Sequence, residues 1–523
     1  MTPRQYTLNR HGKVAISFAL LALSAFATVG LAGCGGGGSS NNNNNNNNNP
    51  ASKSLLSGTV TDATGSPIVG ATVAFGNQTA VSSQFGTYVI PDVVVPAGSN
   101  SILGTVTAST TIAGRAWSGQ NMVEVLINEV DTSSQHIIMS PVNEQNAISG
   151  FVRDSSGRAL KGARVFASLG LTTTAAGAKF FQNLSSIGTT TDNTGFYRLT
   201  NLPARSDYAV AASFVNYLNQ TLNNVNVSLP PASETTVSFT LNQSSGNSPA
   251  VPAVTGFDVQ SITGPFSPTR SAVASTGYAA LRQYILSKSN FRKHHDSKNI
   301  VHKSVTRSTP SGSLIEADMF WDYDPTLTNV YGYDIDQATN ITQGQANFVS
   351  VATLRDPLAD RFSDLDLSLT PDSKYYYSIA RLDTINFPAG GSGATAISPA
   401  SPIVAVLPLQ PISQSAPASG ASVNSNNFSF SWSSVNGATS YQVLVFSRFP
   451  DLQSSTDTQN GVQIIWTDAT NTAPASATSL RYQGPALVSG RTYYWAVLAQ
   501  ATSSDVAIGN AFSVSAIQQF VAQ

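Results

Sequence analysis

A single cysteine in 523 residues excludes disulfides within the chain and thiolate zinc clusters. Charge is scarce as well. Charged residues make up 11% of the chain, against roughly 25% in an average soluble protein. The 27 basic residues are balanced by 28 acidic ones, so no basic field exists to hold nucleic-acid phosphates. Five histidines leave little general-base chemistry. His-Glu-x-x-His and Gly-x-Ser-x-Gly are both absent, and with them the commonest metallopeptidase and serine-hydrolase signals. Apolar residues are not scarce. At 41% they supply several cores, and the length gives a prior of about three or four domains.

Residues 1–33 contain no acid and carry Arg4, Arg10 and Lys13. The apolar run Val14 to Leu31 follows. A basic start, an apolar middle and a small-residue end read as a secretory signal. The end, Leu31-Ala32-Gly33-Cys34, resembles a bacterial lipobox. That resemblance implies cleavage before Cys34 and a diacylglycerol on its sulfur, which accounts for the only cysteine. An uncleaved signal anchor is the competing reading, but the run is short for a spanning helix. Gly35 rather than aspartate follows the cysteine, which by the same resemblance points to the outer membrane of a bacterial cell envelope. Residues 34–54 then hold a glycine, serine and asparagine tract, including Asn41 to Asn49. It has no apolar side chain to bury before Ala51, so it reads as a disordered tether with a reach of about 20–25 Å.

The chain repeats itself. Ser57-Gly58-Thr59-Val60, Asp62, Gly65, Gly70, Ala71 and Val73 return as Ser149-Gly150-Phe151-Val152, Asp154, Gly157, Gly162, Ala163 and Val165. Farther on, Gly86-Thr87-Tyr88 returns as Gly195-Phe196-Tyr197, with about 17 extra residues in the second copy near 171–186. Alternating apolar residues such as Ala71-Thr72-Val73-Ala74-Phe75 read as half-buried strands. Asp and Gly between them read as turns. This pattern resembles the carboxypeptidase regulatory-like domain, a prealbumin-like β-sandwich that is the non-catalytic part of the peptidases it is named from. The resemblance covers 55–143 and 144–243. It is weaker in the first copy, where Ser83 stands in place of the family's aspartate.

The second half has another signature. Phe428, Phe430 and Trp432 alternate, and Tyr493 follows Leu487-Val488-Ser489-Gly490. The spacing in 409–523 resembles a fibronectin type III sandwich, which implies a core tryptophan at Trp432 and a corner tyrosine at Tyr493. Residues 253–406 resemble it more loosely, with Trp321 as the core residue and Tyr375 at the corner. That segment is too long for one sandwich of about 100 residues. The excess lies near 265–312, where Tyr278, Leu281, Ile285 and Lys288 have helical spacing. The expectation is therefore an all-β chain. Two prealbumin-like and two fibronectin type III-like sandwiches stand in tandem after a signal and a tether. Polar linkers predict that they share little buried surface.

Arg282, Lys288, Arg292, Lys293, Lys298, Lys303 and Arg307 crowd the insertion. One reading is an anionic-ligand patch for lipid heads or acidic polysaccharide. The other is a solvated, mobile insertion. His294, His295 and His302 lie there too, with only Asp296 spaced to complete a metal site. Asp322 and Asp324, Asp334 and Asp336, and Asp364 and Asp366 are spaced by two, which on strands places each pair on one face. Converging oxygens suit calcium, and outward strand faces place aspartates this way without any ion. Trp117 and Tyr88 suit sugar stacking if exposed and core packing if not.

The sequence thus predicts no catalytic residue and no cofactor beyond calcium. It predicts a membrane partner through lipid on Cys34, and no nucleic acid. Its leading expectation is a non-enzymatic surface lipoprotein that presents sandwiches for binding, adhesion or envelope assembly, with a polysaccharide or envelope protein as ligand. A carbohydrate-binding lipoprotein of a glycan-uptake or cell-wall system is the alternative. An enzyme with its site in 253–406 comes third.

Overall fold

The computed structural model describes residues 52–523 apart from 63–67, 83–85, 98–100, 127–131, 169–171, 174–178, 181–185, 203, 228–232, 245–249, 266–280, 282–284, 286–300, 303–312, 323, 325, 343–344, 347, 365–368, 386–396, 426, 451–463, 467 and 504–506. The described elements are nearly all strands, and their β-sandwiches are built round four main hydrophobic cores that follow one another along the chain.

The first two sandwiches share a plan, as the internal repeat predicts. In the first, Ser52–Asp62 pairs antiparallel with Thr87–Val95 and parallel with Thr132–Pro141. In the second, Asn146–Asp154 pairs antiparallel with Phe196–Leu202 and parallel with Glu234–Thr236 and Phe239–Leu241. The tyrosines of the two Gly-x-Tyr motifs, Tyr88 and Tyr197, are each 1% exposed. Tyr197 lies in the second core and donates its hydroxyl to the Val237 carbonyl at 2.7 Å. The aspartates of the repeat do turn chemistry. The Asp154 carboxylate accepts the amides of Ser156 and Arg158 at 3.0 and 2.9 Å, and Gly157 follows at φ 85. A positive φ of this kind is open to glycine without steric cost.

Sandwiches three and four carry the two corners. The Tyr375 hydroxyl accepts the Thr370 amide at 2.8 Å, and the Tyr493 hydroxyl accepts the Val488 amide at 2.9 Å. Trp321 and Trp432 are 1% and 3% exposed, each inside its sandwich. The core of the fourth also holds Trp466, whose indole donates to Thr470 at 2.9 Å.

The sandwiches are not separate beads, contrary to what the polar linkers predict. The last strand of the first sandwich, Thr132–Pro141, sends residues of its second half into two cores. Ile137 and Met139 enter the first core, while Ile138 enters the second. Between the third and fourth sandwiches one sheet runs through. Asp258–Pro265 of the third pairs parallel with Ala511–Val514 of the fourth, Ser261 opposite Ala511. The Ala405 amide bonds Ala507 and the Gly509 amide bonds Ala405, both at 2.8 Å. A side chain at Gly509 has no room, because the Val259 carbonyl occupies the place of a Cβ.

Two residues of the insertion reinforce that seam. Leu281 and Ile285 are helical, 1% and 0% exposed, and four residues apart, so they share one helix face. They pack with Ile262 and Phe320 of the third sandwich and Leu444, Phe446, Phe512 and Val514 of the fourth. The helical spacing read from the sequence holds at these two positions. Their burial shows that the insertion is packed rather than solvated at these two positions. The described sandwiches form one compact unit.

Candidate functional site: the junction of the first three sandwiches

Strand Arg115–Leu126 of the first sandwich lies against the second and third. Val123 and Val125 fill its own core, and Met122 leaves it. Met122 packs with Phe166, Ala209 and Ala211 of the second sandwich and Leu358 of the third, in one buried cluster. Strand Arg164–Ser168 explains the contact. Val165 and Ala167 face the second core, while Phe166 faces the junction, so four successive residues after Arg164 are buried. A continuous buried run marks a strand covered on both faces.

Beside the apolar cluster stands an ionic one. Glu124 Oε2 is shared by Arg164 Nη2 and, at 3.4 Å, Arg355 Nη1. These three side chains come from the first, second and third sandwiches. Each is less than a fifth exposed. The Arg164 guanidinium also lies over the Tyr331 ring, 5.2 Å from its centroid. Partial burial shields such pairs from salt, and losing one partner leaves a costly uncompensated charge. Burial pushes the Tyr331 hydroxyl pKa up, opposed by the nearby Arg164 and Arg355.

Neutral hydrogen bonds complete the junction. Asn121 Oδ1 accepts the Gly188 amide at 2.8 Å, and its Nδ2 donates to the Ser186 carbonyl at 3.1 Å. Ile187–Thr190 is the edge strand of its sheet, so Asn121 occupies the place of a missing neighbour. A second contact lies at Asn219, whose amide donates to the Thr328 carbonyl at 2.6 Å and whose Nδ2 donates to the Val330 carbonyl. Asp356 completes the set. Its Oδ1 accepts the Leu358 amide at 2.8 Å. Burial pushes its carboxyl up to about 6, opposed by the Leu358 amide.

The residues singled out from the sequence are placed differently. Cys34 and the basic residues Arg282, Lys288, Arg292, Lys293, Lys298, Lys303 and Arg307 lie outside the described residues. Of the aspartates suited to calcium, Asp366 lies outside the described residues, and the others are not brought together. Asp322 and Asp324 fall beyond the end of strand Ser313–Phe320, so strand periodicity does not align them. Asp324 Oδ1 accepts the Thr326 amide at 2.9 Å and hydroxyl at 2.6 Å, which together hold its carboxyl below the usual range, the hydroxyl most. Asp334 and Asp336 do share strand Val330–Ala338. Asp334 Oδ1 is taken by the hydroxyls of Ser350 and Thr353 at 2.9 and 3.0 Å, and Asp336 is 7% exposed. Asp364 Oδ2 accepts from Gln337 Nε2 at 2.9 Å and the Tyr377 hydroxyl at 3.2 Å. Among the described residues no three His, Cys, Asp or Glu converge as metal ligands. Hydroxyls and amides already satisfy much of what these carboxylates offer. Tyr88 is a core residue, and Trp117 packs against the same core, so neither stands out as a stacking platform.

Residues 147–242 match the family model of the carboxypeptidase regulatory-like domain. That is the second copy of the repeat, and the first lies outside the match. No curated relative matches the chain. Among solved structures, the FN1–FN3 domains of chicken CNTN1 align at 13% identity over 69% of this chain and 95% of that one, with a TM-score of 0.26. A tetra-tandem repeat from the extending region of a large adhesion protein aligns at 11% identity over 90% and 100%, with a TM-score of 0.14. A streptococcal ancillary pilin aligns at 7% identity over 64% and 89%, with a TM-score of 0.15. At these scores the likenesses carry no argument about function.

Proposed function

We propose that the chain is a non-enzymatic, lipid-anchored surface protein whose four sandwiches act as one stiff projection for binding or adhesion. The observation that carries this reading is the fusion of its domains. A run-through sheet joins the third and fourth sandwiches, and Glu124 with its two arginines joins the first three. A chain whose sandwiches worked independently has no use for such contacts, since ordinary inter-domain contacts leave relative motion as the default. Lipid on Cys34 supplies the anchor, and the tether that follows it lets the projection stand away from the lipid surface. Binding then falls to the outer strands and loops.

Fractionation of cells expressing the full chain tests the reading. The full chain is expected with the outer membrane and labelled by antibody on intact cells, and Cys34→Ala is expected to lose the membrane. A mature full chain in the soluble fraction, or a Cys34→Ala chain that still incorporates palmitate, contradicts it. Retention of the purified chain on immobilised polysaccharide or on envelope protein then decides the ligand class.

A further inference from the structure

We propose that Met122 is an oxidation site, at which a peroxide uncouples the first sandwich from the second. The chain has four methionines, and three follow Met1: Met122, Met139 and Met319. Met139 and Met319 are 0% exposed, each inside the core of its own sandwich. Met122 is 8% exposed and lies in the cluster between sandwiches. It stands on strand Arg115–Leu126 of the first sandwich and packs with Phe166, Ala209 and Ala211 of the second and Leu358 of the third. A core methionine meets an oxidant when its sandwich unfolds, whereas Met122 meets one when two sandwiches part. Local parting costs less free energy than global unfolding, so the junction methionine reacts first.

The cluster is too tight for an added oxygen. A Cβ placed on Gly188 would stand 3.2 Å from Met122 Cβ, from Met122 Cε and from Phe166 Cδ1. The polar groups beside it are engaged with one another. Asn121 Oδ1 accepts the Gly188 and Met122 amides, both at 2.8 Å, and Asn121 Nδ2 donates to the Ser186 carbonyl at 3.1 Å. With hydrogen peroxide, a lone pair of the Met122 sulfur forms the new S–O bond as the O–O bond breaks. Sulfur loses two electrons, and the other peroxide oxygen leaves as water with both protons. The product is a sulfoxide, a polar acceptor that an apolar cluster cannot satisfy and water can. The oxidised side chain therefore favours the parted arrangement. This is regulation of the junction that holds the projection stiff, and it rests on that reading.

Hydrogen exchange at the Gly188 amide reads the junction directly, because its acceptor, Asn121 Oδ1, comes from the other sandwich. The Val152 amide, bonded to the Gly195 carbonyl inside the second sandwich, is the control. The full chain in detergent micelles is treated with dilute hydrogen peroxide, and peptide mass spectrometry follows each methionine. Met122 is expected to gain oxygen before Met139 and Met319. Gly188 then loses about tenfold or more of its protection, with Val152 unchanged. Met122→Leu is expected to keep Gly188 protected through the same treatment, and Met122→Gln to expose it without peroxide. Should Met122→Leu fail to fold, Met122→Ile serves in its place, and the order of oxidation in the natural chain still decides. Oxidation of Met139 or Met319 first, full protection of Gly188 beside an oxidised Met122, or an equal loss in Met122→Leu overturns the proposal and leaves the stiff projection standing. An unprotected Gly188 before any peroxide overturns both.

Discussion

Asn121 of the first sandwich stands in for a β-strand against Gly188 of the second, accepting its amide at 2.8 Å. The same side chain donates to the Ser186 carbonyl at 3.1 Å and accepts the Met122 amide at 2.8 Å. One amide group thus closes a sheet edge in a different domain. Replacing it leaves the Gly188 amide and Ser186 carbonyl without that partner. Asn121→Ala is expected to weaken the junction by about 1–3 kcal/mol, the usual penalty for stranding buried polar groups. Hydrogen exchange checks this, with Gly188 losing protection while Val152 keeps it. Equal loss at both amides would mean that Asn121 supports a core rather than a junction.

Ile138 offers a sharper separation of core from domain. It sits on a strand of the first sandwich, and its side chain fills the second core with Ile148, Leu199 and Val237. Ile138→Ala is expected to cost about 2–5 kcal/mol. The loss should appear as faster exchange at Val152 and its neighbours in the second sandwich. If only the first sandwich loosens, the shared-strand account fails.

The insertion is testable at Ile285. Its side chain is fully buried over the seam between the third and fourth sandwiches. Ile285→Ala is expected to destabilise that pair by about 2–5 kcal/mol. It should also bare Phe320, Leu444 and Phe446, read as increased binding of an apolar dye. Unchanged melting would place Ile285 outside the packed seam.

Much of each sandwich was legible in the sequence, and the reason is local. Tyr493 lies five residues after its partner Val488, and Tyr375 five after Thr370. Gly-x-Tyr and Asp-x-x-Gly patterns likewise set strands and turns within a few residues. The junction was not legible because its parts lie far apart in the chain. Glu124, Arg164 and Arg355 each look like ordinary outward strand or loop residues until folding gathers them. One signal was present: Val165, Phe166 and Ala167 break the alternation of a half-buried strand, which marks a strand with two covered faces. The aspartate pairs depend on the same local frame, and Asp334 and Asp336 do share a strand. Spacing by two fixes a face only within a strand, and Asp322 and Asp324 lie past its end. The polar linkers misled, because the backbone beside them joins sheets. Ala405 bonds Ala507 and Gly509 through main-chain groups that any sequence carries.

The central claim is that four sandwiches move as one body, and a distance distribution tests it most directly. Thr111 on the first sandwich and Ser476 on the fourth are both exposed. In a Cys34→Ala background, spin labels on Thr111→Cys and Ser476→Cys are the only two thiol labels, since the natural chain has one cysteine. Pulsed dipolar spectroscopy on the folded chain is expected to give a single narrow distance, which broadens when Asn121→Ala and Glu124→Ala are added. A broad distribution in the chain with an intact junction, like that of beads on flexible linkers, would contradict the account.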